Sequence, residues 1–462
     1  MPALDTESLQ GSRQVPTHNG VPFVGSVPAL FAERPFDFLS RLARDEGDFV
    51  KLKLGPKVAF LVSNPDYLQR ILRDNHHNYR KPQFLYQGVA SIMGNGLAVS
   101  SGDFWLRQRR MIQPYLHRKY VTGLTDLLTQ AIDDYIKDWG AEAEHSTPID
   151  IFRYMKRLTI NVIARAIFGT GLSAADLERV EHDFPLIMDQ AGMRTLLGFL
   201  PNWLPLPGEA EFQSAMGNLH RIVMTIIEER RTHHADADDL ITMLLHAVDE
   251  ETNTQMTDTQ LYDEVRSLFV AGFETTANAM AYLWYLLDQP ENQPVADALQ
   301  AELAAVLGGR LPTAQDLRAL TYTRNVFQEA MRIYPPIGWL PRIANEADHL
   351  GDHAIPKGAI MLLYMYGLHH NPAVWDQPAV FNPQRFAAEH SDKRSPFAYL
   401  PFSAGPRQCV GNEFALIEGT LITAIMFQRY RVRFLPDQAL RLKFTGFNVM
   451  PAQVMQATLQ TV

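Results

Sequence analysis

Between residues 49 and 63 the sequence FVKLKLGPKVAFLVS sets apolar Val50, Leu52 and Leu54 against Lys51 and Lys53, then breaks at Gly55–Pro56 before a second apolar run. Alternation with period two around a Gly-Pro break predicts a β-hairpin. From about residue 100 to 335 the apolar positions recur at helical spacing instead, as in YMKRLTINVIARAIF (154–168) and DEVRSLFVAGFETTANAMAYLWYLLDQ (263–289). Most of the middle is therefore predicted to be helix. Short strand-like pieces return at His353 to Leu363 around the Pro356-Lys357-Gly358 turn, at Tyr430 to Phe434, and in the C-terminal tail. The expected fold is mainly α with small β elements at both ends. No repeat or low-complexity linker divides the chain, so one domain over residues 1–462 is expected, with 1–20 as a flexible N-terminal segment.

The formal charge of the 462 residues is 42 − 51 = −9 with histidines neutral. An apolar content of 46% with 20% charged residues suits a globular protein with a large core, and the acidic balance argues against nucleic acid as a partner. The longest uninterrupted apolar stretch, Ala279 to Leu287, has nine residues, whereas a spanning helix needs roughly 18. The first forty residues show no basic region followed by an apolar one. A soluble, cytoplasmic protein without a membrane anchor is expected. Its one cysteine, Cys409, can form neither an internal disulfide, nor a multi-thiolate metal site, nor a two-cysteine covalent haem attachment.

That cysteine lies in Phe402-Ser-Ala-Gly405-Pro406-Arg407-Gln-Cys409-Val-Gly411, ahead of a helical pattern that begins near Asn412. A thiol at the mouth of a helix meets the positive dipole end and free backbone N–H groups, which favour thiolate. Gly405 and Gly411 let the backbone pass close to something flat, Pro406 stiffens the approach, and Arg407 supplies an anion clamp. A planar, doubly carboxylated cofactor suits that combination. The loop resembles the haem-binding signature of the cytochrome P-450 monooxygenases. The resemblance implies a single-domain P-450 fold, with haem b (iron protoporphyrin IX) between the long central helix and the cysteine-loop helix. Cys409 would be the proximal thiolate ligand of iron.

Three further segments stand in that family's order. In the long helix, Ala271-Gly272-Phe273-Glu274-Thr275-Thr276 sets two very small residues and an acid–alcohol pair in an apolar stretch. Ala271 and Thr275, four apart, share one side of the helix, so a flat ligand could lie against Ala271 beneath the Thr275 hydroxyl. Taken alone, such a threonine reads equally as one bonding back to the carbonyl four residues earlier. The segment resembles the family's oxygen-activation motif, which implies that Thr275 and Glu274 organise water and deliver protons to dioxygen.

Glu329-Ala-Met-Arg332 is an acid–base pair at i, i+3 whose spacing recurs at Glu228 and Arg231. Only the first copy precedes Tyr334-Pro335-Pro336 and Phe381-Asn-Pro383-Gln-Arg385-Phe386. Together these resemble the family's structural triad of Glu329, Arg332 and Arg385, which implies a role in folding and haem retention; Gln384 stands where an acid is frequent. Trp105-Leu-Arg107-Gln-Arg109-Arg110 sets Trp105 and Arg109 on one helix face, where they can hold a carboxylate. By resemblance Trp105, Arg109, Arg342 and Arg407 would hold the two haem propionates. Arg107, Arg110, Arg118 and Lys119 add a basic patch expected to dock an acidic electron donor.

By the same resemblance the substrate cavity draws on Phe84, Tyr86, Met93, Met193, Leu196, Leu197, Phe269, Phe273, Ile337, Trp339 and Phe447, a set that suits a substrate bound by burial. Arg194 could pair with a carboxylate at the cavity entrance or stand in solvent. The loops look most like the fatty-acid-hydroxylase-like branch. The implied activity is a haem-thiolate monooxygenase that hydroxylates or epoxidises a hydrophobic small molecule (fatty acid, terpenoid or polyketide-like). Its two electrons would come from NAD(P)H through a separate ferredoxin- or flavodoxin-type donor and its reductase. The alternatives are a peroxide-driven peroxygenase or haem-thiolate isomerase, against which the Glu274–Thr275 pair argues, and a non-enzymatic haem or apolar-ligand binding protein.

Overall fold

The computed structural model describes residues 15–169, 171–197, 206–233, 239–436 and 438–462. The alternating segment forms the expected hairpin: strands β1 (Phe49–Leu54) and β2 (Lys57–Val62) pair antiparallel, with Leu54 opposite Lys57 across the Gly55–Pro56 turn. Strands β3 (Tyr79–Arg80), β4 (Trp339–Ala344) and β5 (Ile360–Tyr364) complete a five-stranded sheet in the order β1–β2–β5–β4–β3, with β5 parallel to β2. The strand-like run at His353 to Leu363 is divided between two sheets. His353–Ile355 pairs with Asp348–Leu350, and after the proline turn β5, buried at all five positions, enters the main sheet as a central strand. Tyr430–Phe434 pairs with Gln456–Thr461 as the tail pattern suggests. Of the segment 1–20, residues 1–14 lie outside the described residues, and Pro16 and His18 are tied to Lys51 on β1 by backbone hydrogen bonds.

Eight helices position the site. They are α1 (Gln83–Met93), α2 (Gly102–Ile112), α3 (Ile151–Phe168), α4 (Ala174–Leu196), α5 (Glu209–His233), α6 (Asp258–Asp288), α7 (Thr321–Ile333) and α8 (Asn412–Arg429). The long α6 begins at a capping box, in which the Thr257 hydroxyl accepts the Gln260 N–H and the Gln260 side chain accepts the Thr257 N–H, so two otherwise orphaned donors are satisfied together. Where α6 crosses α3, the Thr159 hydroxyl donates to the Phe273 carbonyl at 3.0 Å. A Cβ on Gly272 would stand 2.8 Å from Ile163, so glycine is what lets the two helices approach. No helix among the described residues is long and apolar enough to cross a membrane.

The triad residues come together. Glu329 and Arg332 are fully buried and joined by two hydrogen bonds, at 2.7 and 2.8 Å. Arg332 also donates to the carbonyls of His369, Pro378 and Val380, and Glu329 accepts from Arg385 Nε and the Asn382 N–H. The second copy of the spacing behaves differently: Arg231 pairs with Asp258 on the protein surface. A buried ion pair is costly to break on one side, because the remaining charge is left unpaired. Glu329→Ala is therefore expected to destabilise the fold by about 3–5 kcal/mol, and Arg231→Ala by less than about 1 kcal/mol; denaturant unfolding of the two variants measures the difference.

Candidate active site

In the middle of α6 nearly every side chain is buried. The residues that keep access are Leu268, Ala271, Gly272 and Thr275, at i, i+3, i+4 and i+7, which is one face of a helix. Thr275 donates its hydroxyl to the Ala271 carbonyl at 2.8 Å, so its lone pairs remain free toward the open face. The hydroxyl is thus back-bonded to the carbonyl four residues earlier, while the side chain stays on the accessible stripe. Glu274, next to it, is buried on the α3 side, where Lys156 Nζ lies 3.4 Å from one oxygen while the other makes no hydrogen bond. No hydrogen bond among the described residues joins Glu274 to Thr275.

The cysteine loop is folded tightly. The Cys409 N–H donates to the Phe402 carbonyl at 2.9 Å, and the Gln408 N–H to Gly405. Gly405 adopts φ +71°, and a Cβ there would fall 1.9 Å from the Leu72 carbonyl, so only glycine fits. The helix-mouth argument about the thiol needs correction. Burial is the leading influence and raises the Cys409 pKa; the Gly411 N–H and the Arg109 guanidinium pull it back by less. The thiol is exposed although neighbouring protein desolvates it, so it faces an open space. The helix end alone does not make it a thiolate, whereas a bound cationic metal would.

Around this space stand four cations. Arg407 lies 3.7 Å over the Trp105 ring and donates to the Ser100 carbonyl. Arg109 donates to the Gln408 carbonyl and Gln113, and Arg342, on β4, donates to Tyr86 and Pro341. The fourth is Lys81, which the sequence reading missed; its ammonium donates to the Ala98 carbonyl at 2.6 Å. Burial, aided by Arg407 and Arg342, pushes its pKa well down. Arg407 is lowered to about 10 by burial and by Arg342, and Arg109 is lowered by burial. None of the four makes an ion pair with a carboxylate among the described residues. Crowded, desolvated cations without acids call for an anionic partner from outside the chain.

Comparison with known proteins decides what that partner is. A family model described as cytochrome P450 matches residues 15–458. The chain belongs to the cytochrome P450 family. It is 33% identical to cyclooctatin synthase of Streptomyces melanosporofaciens over 91% of this chain and 90% of that one, and 35% identical to cyclooctat-9-en-7-ol 5-monooxygenase of the same organism over the same shares. Pentalenene oxygenase of Streptomyces avermitilis is 28% identical over 91% of this chain and 92% of its own. The crystal structure of the cytochrome P450DA haem domain superposes with a TM-score of 0.86, covering 98% of both chains at 21% identity. The fold is thus the expected single-domain, mainly helical P450 fold, and the enzyme is a P450 monooxygenase.

The residues of this P450 fit a haem. A planar macrocycle would have the Leu268–Thr275 stripe on one side and the Cys409 thiol on the other, and the four cations answer two propionates. Other expectations need correction. The absent Cβ of Gly272 points at Ile163, so that glycine serves helix packing. Phe269 and Phe273 are buried in an aromatic cluster with Phe168 (5.6 Å) and Phe184 (4.5 Å), on the side of α6 turned toward α3 and α4. Leu268, unnamed by the sequence reading, is the bulky side chain on the accessible stripe of α6. Tyr86, Trp339 and Phe447 do cluster, with ring centroids 5.1 and 5.0 Å apart, and Ile337 bridges to Asn448 beside them. Phe84 sits under Lys57 at the sheet edge. Met93, Met193 and Leu197 are partly exposed, and the side chain of Leu196 lies outside the described residues.

The basic patch is weaker than its sequence suggests. Arg110 is bound by Asp249 and Glu251, and Arg107 donates to the Gln255 carbonyl. Exposed Lys119 remains beside a groove of about 1110 Å³, and exposed Arg118 lies 3.9 Å from Glu413.

One further interaction closes the site. Asp263 and Glu264 on α6 accept the backbone N–H groups of Asn95 and Leu97, both at 2.9 Å, and so hold the loop between α1 and α2; Gln108 donates to the second Glu264 oxygen. Burial raises Glu264 to about 7, against smaller lowering by Leu97 and Gln108. A raised carboxyl binds its proton more tightly in the folded than in the unfolded protein, so stability falls as pH rises from about 4.5 to about 7. Glu264→Gln is expected to flatten that part of the stability–pH curve by on the order of 2–3 kcal/mol, measured by denaturant unfolding at successive pH values. Lys81→Met is expected to release haem to a competing apoprotein about tenfold faster, the loss of one charge-assisted hydrogen bond, with the Cys409 ligation spectrum unchanged.

Proposed function

We propose that this P450 oxidises a terpenoid, hydroxylating or epoxidising a hydrocarbon-like skeleton, with electrons from NAD(P)H delivered by a separate ferredoxin- or flavodoxin-type partner. The observation that carries the substrate class is the state of Arg194. This arginine, the candidate anchor for a fatty-acid carboxylate, is paired with Glu209 and stacked on Phe212 at 4.7 Å, joining α4 to α5. The remaining walls, Leu268, Ala271, Ile337 and the Tyr86–Trp339–Phe447 cluster, offer apolar area with few polar anchors. Such a cavity favours a compact, rigid, weakly polar molecule, which loses little conformational entropy on binding. The names of the relatives from Streptomyces support the same class.

The roles of the chain follow from its geometry. Haem held by a cysteine thiolate supplies dioxygen activation and O–O cleavage. Cys409 would be that ligand, fixed by the Phe402 carbonyl; Lys81, Arg109, Arg342 and Arg407, with Trp105 stacked on the last, would hold the propionates. The Thr275 hydroxyl, its proton committed to Ala271, can accept a hydrogen bond from water on the open face, and Glu274 is the neighbouring acid from which protons can be replaced.

Titrating the ferric protein with polycyclic terpene alcohols and with fatty acids of similar carbon number tests the substrate class. Terpenoids are expected to produce the low- to high-spin shift at micromolar concentrations, and fatty acids to bind at least about tenfold more weakly. The reverse order would overturn the assignment. Leu268→Phe should change the position oxidised, whereas Phe273→Leu should cost about 1 kcal/mol of stability and leave the product pattern alone.

A further inference from the structure

Arg385 of the triad also lines a second open space, a surface cleft of about 540 Å³ between Pro65 and Asp66, the stretch from Ala373 to Arg385, and the stretch from His390 to Ala398. That volume is in the range of small-molecule sites. Around Glu329 stand three guanidinium groups. Arg332 and Arg385 pair with it, whereas Arg394 pairs with no carboxylate among the described residues. Arg394 gives one N–H to the Arg385 carbonyl at 2.9 Å and is stacked over Trp375 at 4.5 Å and Phe386 at 4.9 Å. Burial lowers its pKa, Tyr399 and Glu329 pull it back by less, and Arg332 and Arg385 add to the lowering. Three cations against one carboxylate leave an excess of positive charge largely out of water, which is costly without an anion. Trp375, another wall of the cleft, is 2% exposed, and its indole N–H has no partner among the described residues. An indole N–H only donates and is normally paired when buried, so what it lacks is an acceptor. Lys393 and His390 stand exposed at the rim. Asp66 and Asp376 line the cleft too, but both are exposed, where water and salt screen them.

We propose that this cleft binds a phosphate group, free or as the ester of a small metabolite, through Arg394, the Trp375 N–H and Lys393. Guanidinium, indole and ammonium donors together ask for several acceptor oxygens spread around one atom, which a tetrahedral phosphate offers and a flat carboxylate does not. Occupancy offsets the excess charge beside Glu329. It also meets the segment that Glu329 holds, because Asn382 and Arg385, which both donate to that carboxylate, line the cleft. A bound phosphate therefore stabilises the support of the cysteine loop from outside, without contact with the haem or the substrate.

Isothermal calorimetry of the ferric holoprotein near neutral pH, with inorganic phosphate exchanged against chloride at constant ionic strength, should show one saturable site with a Kd on the order of 1 mM. Thermal unfolding should shift up by on the order of 1–2 °C at ten times that concentration. Glycerol 3-phosphate binding more tightly than inorganic phosphate assigns the site to an ester, and equal binding assigns it to the free ion; acetate should produce neither heat nor shift. Arg394→Gln, Trp375→Phe and Lys393→Gln should each weaken phosphate about tenfold, the loss of one charge-assisted hydrogen bond, with the reduced carbon monoxide spectrum unchanged. Lys443→Gln, at an exposed lysine away from the cleft, should bind phosphate as the unaltered protein does. Where Arg394→Gln fails to retain haem, Trp375→Phe, which keeps a ring and removes the N–H, and Lys393→Gln at the rim decide. Absence of a saturable heat, acetate binding as tightly as phosphate, or full affinity in both Trp375→Phe and Lys393→Gln would each overturn the proposal. None of these readings uses turnover, so they stand apart from the test of the substrate class.

Discussion

The geometry of the cysteine loop depends on one ion pair that water never reaches. Glu329 and Arg332 neutralise each other, but their remaining hydrogen-bonding capacity is turned outward onto backbone. Arg332 gathers the carbonyls of His369, Pro378 and Val380, and Glu329 takes Asn382 and Arg385. His369 then passes the constraint on, because its Nε2 accepts the Leu400 N–H at 2.9 Å. The Leu400 carbonyl accepts from Ser403, and Phe402 between them accepts from Cys409. Hydrogen bonds and the short backbone between them therefore connect the triad to the Cys409 N–H. Pulling any of these backbone groups away would leave a buried donor or acceptor unpaired, which is how a pair with no chemistry of its own fixes where a sulfur stands.

The central helix shows the same economy across its faces. One face carries Leu268, Ala271 and Thr275 toward the cavity. Another gives Phe269 and Phe273 to packing against α3 and α4, and Gly272 at the margin lets Ile163 of α3 approach. Near its start, Asp263 and Glu264 catch the loop that leads from α1 to α2, and that loop ends at Ser100, whose carbonyl accepts from Arg407. The loop that shapes the cavity is thereby tied to the propionate arginine and to the oxygen-facing helix together. A change in one wall is felt by the others through short, directional contacts.

The hairpin, the long helices and the cysteine loop were legible in the sequence because each is a local pattern: period two with a Gly-Pro break, period 3.6, and fixed identities at fixed spacing. The strand Trp339–Ala344 was not, since Pro341 interrupts its alternation and its partners β3 and β5 are set by long-range packing. The helical phase of α6 could not be read because it is apolar nearly all round, and Phe269 and Phe273 advertise themselves as lining while smaller Leu268 does the facing. Lys81 carried no signal: a lysine before a proline looks like a surface residue until the fold brings Arg342 and Arg407 beside it. Asp263 and Glu264 carried no signal either, their partners being backbone N–H groups more than 160 residues away.

Net charge says little about this site, because electrostatics here is decided by desolvation. The chain is acidic by nine charges, yet the space around Cys409 is cationic. Exposed acids elsewhere are screened within about 10 Å at ordinary ionic strength, so they neither relieve Lys81, Arg109, Arg342 and Arg407 nor compete with a bound anion.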